Sequence, residues 1–386
     1  MKIGIYHDNV GTRHAGGIAI YARKMAIELA KSNKVHVYTQ GGDVVSTLVE
    51  SDANIVETPT FDLPSFSGRL SSLVGNPLPF GRQDVSKLGM IGWSAHNGVI
   101  DHIDDHVDVL ITFQTIDDLL LSNLVDVPTI RGFLSDRSAG IASGLREQYS
   151  QTETNFANTP YLAEQVADRF DTEVHGVIPT GVDTETFRPT AEPAFQHDDP
   201  TVLFVGRLVE SKGIFDLLEA VARLEERVHL RIVGTGSEAE AVDRRSAELG
   251  IADRVALEGE VPHTDLPGYY AAADIFCLPT HVDSFATVNL EAMACGAPVV
   301  TTDLEGIKTY LTPDENGVVV PPGDRNRLAD ALAELLSDPS RRRMLGVQAR
   351  RRACEFTWSQ QATQLEEFCA TVLGVDRTKE APLVAA

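Results

Sequence analysis

Short apolar runs ending near a turn recur along this chain, and stretches with helical spacing alternate with them. Ile3–Tyr6, Val35–Thr39, Val109–Phe113 and Pro128–Ile130 read as buried strands of a first half. Between the first two, Gly16–Lys31 reads as a helix with Ile18, Tyr21, Ala22, Met25 and Leu29 on one face. In the second half, Val202–Val205 reads as a strand that Gly206 ends. A helix opening at Gly213 then carries Ile214, Leu217, Leu218, Val221 and Leu224 at helical spacing. Strands and helices alternate to about Leu336, and a last long helix follows Trp358. This alternation predicts an α/β chain. Phe61–Gly92 is rich in Pro, Gly and Ser, has no clear period, and predicts a long irregular excursion. Ala191–Pro200 is polar with two prolines and reads as a linker. The tail Thr378–Ala386 reads as frayed.

Candidate chemistry sits where the strands of the second half end. Arg207 and Lys212 follow a strand and precede a helix N-terminus, both at exposed turn positions. Two cations in that place form a site for a diphosphate, with Arg able to bind bidentately and Lys acting as a point charge. Taken alone, the same residues read equally well as a solvated loop. Later segments shift the balance. Asp283 and Glu291 bracket Ser-Phe-Ala-Thr-Val-Asn-Leu, and the chain then runs through Cys295 and Gly296 into a further strand.

Together these segments resemble the retaining glycosyltransferases of family 4, the glycosyl transferases group 1, over nearly the whole chain. The resemblance rests on the order and spacing of several pieces: Gly16-Gly17-Ile18; Val177-Ile178-Pro179-Thr180-Gly181-Val182-Asp183 with Phe187 and Pro189; Val205-Gly206-Arg207-Leu208 with Lys212-Gly213; Ile232-Val233-Gly234-Thr235-Gly236; Asn316-Gly317 with Pro321-Pro322-Gly323-Asp324; and Phe356-Thr357-Trp358. It implies the GT-B fold, two Rossmann-like domains facing across a cleft. On that frame, residues 1–190 form the acceptor-side domain and 191–357 the nucleotide-sugar-binding domain. Residues 358–386 supply a helix that packs back on the first domain, and then the tail.

The resemblance also assigns roles. Glycosyl transfer needs the leaving diphosphate stabilised and the anomeric carbon held toward the acceptor. Arg207 and Lys212 take the diphosphate, with backbone donors at the helix starts after Gly16-Gly17 and around Ser284, Phe285, Ala286 and Thr287. Glu291 matches the second acid of the family's pair, which contacts ribose hydroxyls; otherwise it is a carboxylate at a helix N-terminus. Asp283 stands where the family usually has Glu facing the transferred sugar, and Ala286 stands where it usually has Gly. In the N-terminal domain, Asp108-Val109-Leu110-Ile111-Thr112-Phe113-Gln114 lacks the histidines common there. Gln114 offers an amide to a sugar hydroxyl or caps the turn. His7 orients an acceptor or, with Asp8 and Asn9, belongs to a turn. The implied enzyme needs no cofactor or metal beyond the nucleotide sugar. No DxD-type pair stands at a strand end.

Composition narrows the setting. The 386 residues, 43 % hydrophobic, suffice for two domains with full cores. No apolar run reaches the roughly 18 residues of a membrane span. Met1 leads directly into a strand without a signal-peptide core, so a cytoplasmic enzyme with at most peripheral contact at the inner membrane face is expected. A net charge of −23 argues against nucleic acid as a partner. Arg outnumbers Lys about three to one, and an acidic, Lys-poor surface points to a salt-loving source. Cys277, Cys295, Cys354 and Cys369 lack C-x-x-C spacing and read as buried free thiols. His102 and His106 suit one helix face, and with His96 invite a metal reading, but the interleaved Asp101, Asp104 and Asp105 favour a solvated acidic face.

The leading function is retaining transfer of a sugar from a nucleotide-diphosphate sugar to a glycan or lipid-linked acceptor, in lipid-linked or cell-surface glycan assembly. A sugar-nucleotide epimerase of the same architecture and a donor-binding protein without turnover are the alternatives.

Overall fold

The computed structural model describes residues 1–12, 16–42, 44–58, 82–113, 121–135, 154–196, 199–225 and 227–375. The chain forms two compact units. One comprises Met1–Thr180 and the chain from Trp358 onward, the other Gly181–Thr357.

In the first unit β1 (Lys2–Tyr6), β2 (Lys34–Gln40), β3 (Asn54–Thr58), β4 (Val109–Phe113), β5 (Thr129–Phe133), β6 (Thr154–Ala157) and β7 (Gly176–Val177) make a sheet ordered β3-β2-β1-β4-β5-β6-β7. Every neighbouring pair in it is parallel. Parallel neighbours need crossovers, and helix Gly17–Ala30 is the first of them. It buries Tyr21, Ala22, Met25 and Leu29 against the sheet. Helix Trp358–Val372 belongs to this unit although it comes last in sequence. Its Trp358, Ala362, Leu365 and Cys369 join the same core, and the Trp358 ring meets Tyr21 edge-on at 5.8 Å.

The second unit repeats the plan. β8 (Thr201–Val205), β9 (His229–Val233), β10 (Val255–Gly259), β11 (Ile275–Leu278), β12 (Val299–Thr302) and β13 (Val318–Val320) form a sheet ordered β10-β9-β8-β11-β12-β13. It too is parallel throughout. β8, β11 and β12 are buried along their whole length, as strands covered on both faces must be. Between β8 and β11 the strand order reverses direction, the point at which open α/β sheets bind ligands.

Several expectations need correction. The units divide between Thr180 and Gly181, not after residue 190. Val182 and Phe187 are buried in the second core, and Val182 N donates to Phe356 O, so the chain is already part of the second unit there. The excursion expected over 61–92 ends earlier. Arg82–His96 is a helix, and residues 61–81 lie outside those described, as does the tail from residue 378. No described helix is long and apolar enough to cross a membrane. None of the four cysteines forms a disulfide; Cys277, Cys295 and Cys369 are buried and Cys354 is half-buried. Burial pushes the Cys295 thiol up to about 12.

Helix Val99–His106 is not the wholly solvated acidic face that its aspartates predict. His102 turns inward, and its Nδ1 lies 3.0 Å from Tyr38 Oη. The rings of His102 and His106 stack at 4.3 Å, and His36 of β2 lies at 5.4 and 6.1 Å from them. His36 is only 5 % exposed, and neither of its ring nitrogens has a hydrogen-bond partner among the described residues. Burial first, then the neighbouring His102, Lys34, His106 and Lys2, push His36 down to about 4. Unfolded, the imidazole binds a proton below roughly 6.5. The folded chain refuses that proton until about 4, so stability is full above that upper value and lost as pH falls through the window. For His36→Val we expect urea midpoints that hold up better between these two values. The wild-type loss attributable to His36 is about 3 kcal/mol, read from urea unfolding at a series of pH values.

Candidate functional site

The carboxyl end of the second sheet carries most of the chemistry read from the sequence. The chain leaves β8 at Gly206, and Arg207 is exposed immediately after it. A 3-10 turn over Glu210–Lys212 then leads into Gly213, which caps helix Ile214–Ala222 with φ +70°. A Cβ on Gly213 would lie 1.9 Å from the carbonyl oxygen of Pro279, so glycine is required both by φ and by the approach of the next loop. Thr280 Oγ1 donates to Ser211 O at 3.0 Å and His281 N donates to the same oxygen at 2.8 Å. The loop after β8 and the loop after β11 are therefore one tied structure.

That tie brings Lys212 and Asp283 together. Lys212 Nζ donates to Asp283 Oδ2 at 2.5 Å, with the side chains 19 % and 15 % exposed. Lys212 is thus not the exposed turn cation that its position predicts; the covering loop half-buries it beside a carboxylate. Asp283 Oδ1 accepts from Ala286 N at 2.9 Å and from Phe285 N at 3.3 Å. Bonds from a side chain to backbone two and three residues on are those a short carboxylate makes. An aspartate at this position therefore holds its own loop as well as the lysine.

Ala286 precedes helix Thr287–Ala294 with φ +50° and ψ +65°, a left-handed conformation that costs a residue with a Cβ about 1–2 kcal/mol. Three bonds hold it there. Its N–H is taken by Asp283, and its carbonyl accepts from Tyr310 Oη at 3.2 Å and from Asn289 N at 2.9 Å. Tyr310 is itself fixed by Asn289 Nδ2 at 3.1 Å. Phe285 is buried against the Tyr310 ring at 5.0 Å, so it offers a ligand its main chain only. Ser284 and Thr287 are half-buried at the same helix start.

Glu291, in the second turn of that helix, is 6 % exposed and already engaged. Its Oε1 lies 2.8 Å from His263 Nε2, and its Oε2 accepts from Tyr270 Oη at 3.1 Å. Phe187 packs on the His263 ring at 5.0 Å. Burial and the neighbouring carboxylate hold the Tyr270 phenol well above its usual range. Glu291 is therefore no lone carboxylate at a helix start. It is a buried acid with a donor on each oxygen.

The first unit holds the remaining candidates. Gly16 precedes helix Gly17–Ala30 with no side-chain cap, and both glycines are exposed, with nothing within 4 Å of where a Cβ would stand. The helix start is open to an anion. His7 is 5 % exposed, and its Nδ1 accepts from Asn9 N at 3.2 Å, which makes it part of the turn after β1. Gln114 lies outside the described residues. In the second unit, Asp324 caps helix Arg325–Ser337 by accepting from Arg327 N at 3.0 Å. The described residues contain no group of three or more His, Cys, Asp or Glu placed to hold a metal ion.

Sequence reasoning missed His263, Tyr270, Asp216 and His281. Asp216 and His281 lie within or next to segments that were singled out, His263 and Tyr270 do not, and the partner of each stands 21 to 65 positions away. No local spacing marks such pairs.

Two parallel α/β units, the second with cations and acids gathered at its switch point, have the GT-B fold. The chain belongs to the glycosyl transferases group 1, family 4, whose profile matches residues 188–352. It is 30 % identical to the D-inositol 3-phosphate glycosyltransferase of Thermobispora bispora, over 95 % of this chain and 92 % of that one. A GDP-mannose-dependent alpha-(1-6)-phosphatidylinositol monomannoside mannosyltransferase of Mycolicibacterium smegmatis is 33 % identical over 50 % of this chain and 55 % of its own. Among solved structures, the sucrose-phosphate synthase of Thermosynechococcus elongatus superposes with a TM-score of 0.80 at 22 % identity, over 97 % of this chain and 100 % of that one.

Tyr270→Phe tests the Glu291 arrangement. It removes one donor from a buried carboxylate while keeping the ring, and should cost about 1–3 kcal/mol of stability. Urea unfolding of the variant reads that loss, and an unchanged midpoint would show that Oε2 is satisfied without Tyr270.

Proposed function

We propose that this glycosyltransferase transfers a hexosyl group from a nucleotide-diphosphate sugar with retention at the anomeric carbon and without a resident metal. The observation that supports this most is the half-buried Lys212–Asp283 pair at a helix start, on the same loop after β8 as Arg207. In this reading the second unit binds the donor. Arg207 and Lys212 meet the diphosphate, backbone N–H groups of residues 284–287 add donors, Asp283 faces the sugar and Glu291 the ribose. The bond from the anomeric carbon to the phosphate oxygen breaks, and the acceptor oxygen bonds to that carbon on the same face. The acceptor's proton passes to an oxygen of the leaving phosphate, which the two cations hold nearby. Gly16 and Gly17 provide an anion site in the first unit, and His7 and Gln114 are assigned to the acceptor.

The acceptor belongs, in this proposal, to lipid-linked or cell-surface glycan assembly. Support comes from the two relatives' names, which carry an inositol 3-phosphate and a phosphatidylinositol mannoside. We place the enzyme in the cytoplasm of a salt-adapted cell, with at most peripheral contact at the inner membrane face. The net charge of −23 supports this, because it disfavours broad attachment to anionic lipid.

Arg207→Ala should lower transfer about a hundredfold, the usual cost of one charge contact to a transition state. The fold should be intact, because Arg207 is exposed. Lys212→Ala should lose as much activity and, in addition, roughly 1–3 kcal/mol of stability, because Asp283 is left half-buried without its cation. Near-normal kcat in either variant would remove the diphosphate assignment.

Stereochemistry decides the reaction itself. Incubation with GDP-mannose and UDP-glucose, against inositol phosphates and a lipid extract, should give an α-linked product with full activity in EDTA. Proton NMR of the new anomeric centre reads the outcome. A β-linked product from an α-donor rejects retention, strict dependence on added Mg²⁺ or Mn²⁺ rejects the metal-free site, and a released epimer without transfer identifies an epimerase.

A further inference from the structure

Beside the donor loop lies a group of charges that the reaction scheme leaves unused. Asp216, in the first turn of helix Ile214–Ala222, is 5 % exposed. Its Oδ2 lies 2.5 Å from His281 Nε2, and its Oδ1 accepts from Arg325 Nε at 2.6 Å. Arg325 also reaches Glu219 Oε2 at 2.6 Å. A buried carboxylate with a guanidinium on one oxygen and an imidazole on the other is rigidly held.

His281 stands two residues before Asp283. Its main chain is fixed to Ser211 O, its ring to Asp216, and Thr280 beside it accepts at its carbonyl from Thr302 Oγ1 at 2.6 Å. Val282 between them is 68 % exposed, and its carbonyl accepts from Thr280 Oγ1 at 3.1 Å. The direction in which Asp283 leaves the loop is therefore set on one side by the His281 ring together with that bond, and on the other by the bonds to Phe285 N and Ala286 N. Loss of the ring removes the one hydrogen bond that the His281 side chain shows among the described residues.

We infer that His281 is a positioning residue for the donor sugar: clamped to Asp216, it fixes the reach of Asp283 toward a sugar hydroxyl. This rests on the reading in which Asp283 faces the sugar. The clamp acts on sugar recognition and leaves the nucleoside diphosphate to Arg207, Lys212 and Glu291.

A double-mutant cycle tests it. Dissociation constants are measured by calorimetry for GDP-mannose and UDP-glucose, each beside its free nucleoside diphosphate, and the tighter pair is followed. Asp283→Ala and His281→Ala should each weaken the sugar nucleotide about tenfold, the size of one lost hydrogen bond. In His281→Ala, which leaves Lys212 its partner, binding of the free diphosphate should stay within about twofold of wild type, a margin far below one such bond; Asp283→Ala also unpairs Lys212, so its loss is read as the change in the ratio of sugar-nucleotide to free-diphosphate affinity. The double variant should bind no more weakly than either single one, because both remove the same contact. His281→Gln, which keeps a donor for Asp216, should bind the sugar nucleotide like wild type and shows that the loss is not one of folding. If Asp283→Ala weakens the sugar nucleotide while His281→Ala does not, or the two losses multiply, the clamp is wrong and the sugar-facing Asp283 stands. If Asp283→Ala changes nothing, that reading fails and the clamp fails with it.

Discussion

The site depends on main chain lying directly against main chain. Gly213 leaves no room for a side chain beneath Pro279 O, and a Cβ on Gly306 would stand 2.0 Å from Ser284 O. The loop after β11 is thus pressed between the loop after β8 and the segment after β12. With no side chains between them, these loops have almost no freedom to slide, and the groups they carry inherit that rigidity. Lys212 meets Asp283 because Ser211 O takes two hydrogen bonds from Thr280 and His281.

Electrostatic balance follows from the same packing. Each acid buried in this region has a partner: Asp283 has Lys212, Asp216 has Arg325 and His281, and Glu291 has His263 and Tyr270. Burying a carboxylate without such partners costs several kcal/mol. A chain with an excess of acids therefore spends its few cations where acids are enclosed. Ligand binding becomes an exchange of partners, in which diphosphate and hydroxyl groups replace bonds that the resting protein already makes. The left-handed Ala286 is tolerated for a related reason. Tyr310, Asn289 and Asp283 hold it at three points, and the strain is smaller than the bonds that would be lost by relaxing it.

In the first unit the organising contact is aromatic. Tyr21 lies between Phe113 of β4 and Trp358, and its hydroxyl donates to Ile178 O at 3.1 Å. One side chain thereby joins the first helix, the sheet and the last helix. Residues from opposite ends of the chain share a core, so this unit is complete only once residues 358–372 are present.

Much of this was legible in the sequence. Buried parallel strands are continuous apolar runs, so β1, β2, β4 and β8 stood within a residue or two of their observed bounds. The same runs place Arg207, Lys212 and Asp283 on loops at strand ends and Glu291 on the helix that follows, as the structure has them, while their roles were assigned by the resemblance alone. Period and position are local properties, and local sequence encodes them. Partnership is not local. Nothing in the order of residues says that Glu291 is enclosed by His263 and Tyr270, that Lys212 is covered by Asp283, or that Asp216 reaches His281. Those pairings exist only because parallel crossovers bring distant loops to one edge of a sheet, where the close approach of two backbones selects which side chains can meet.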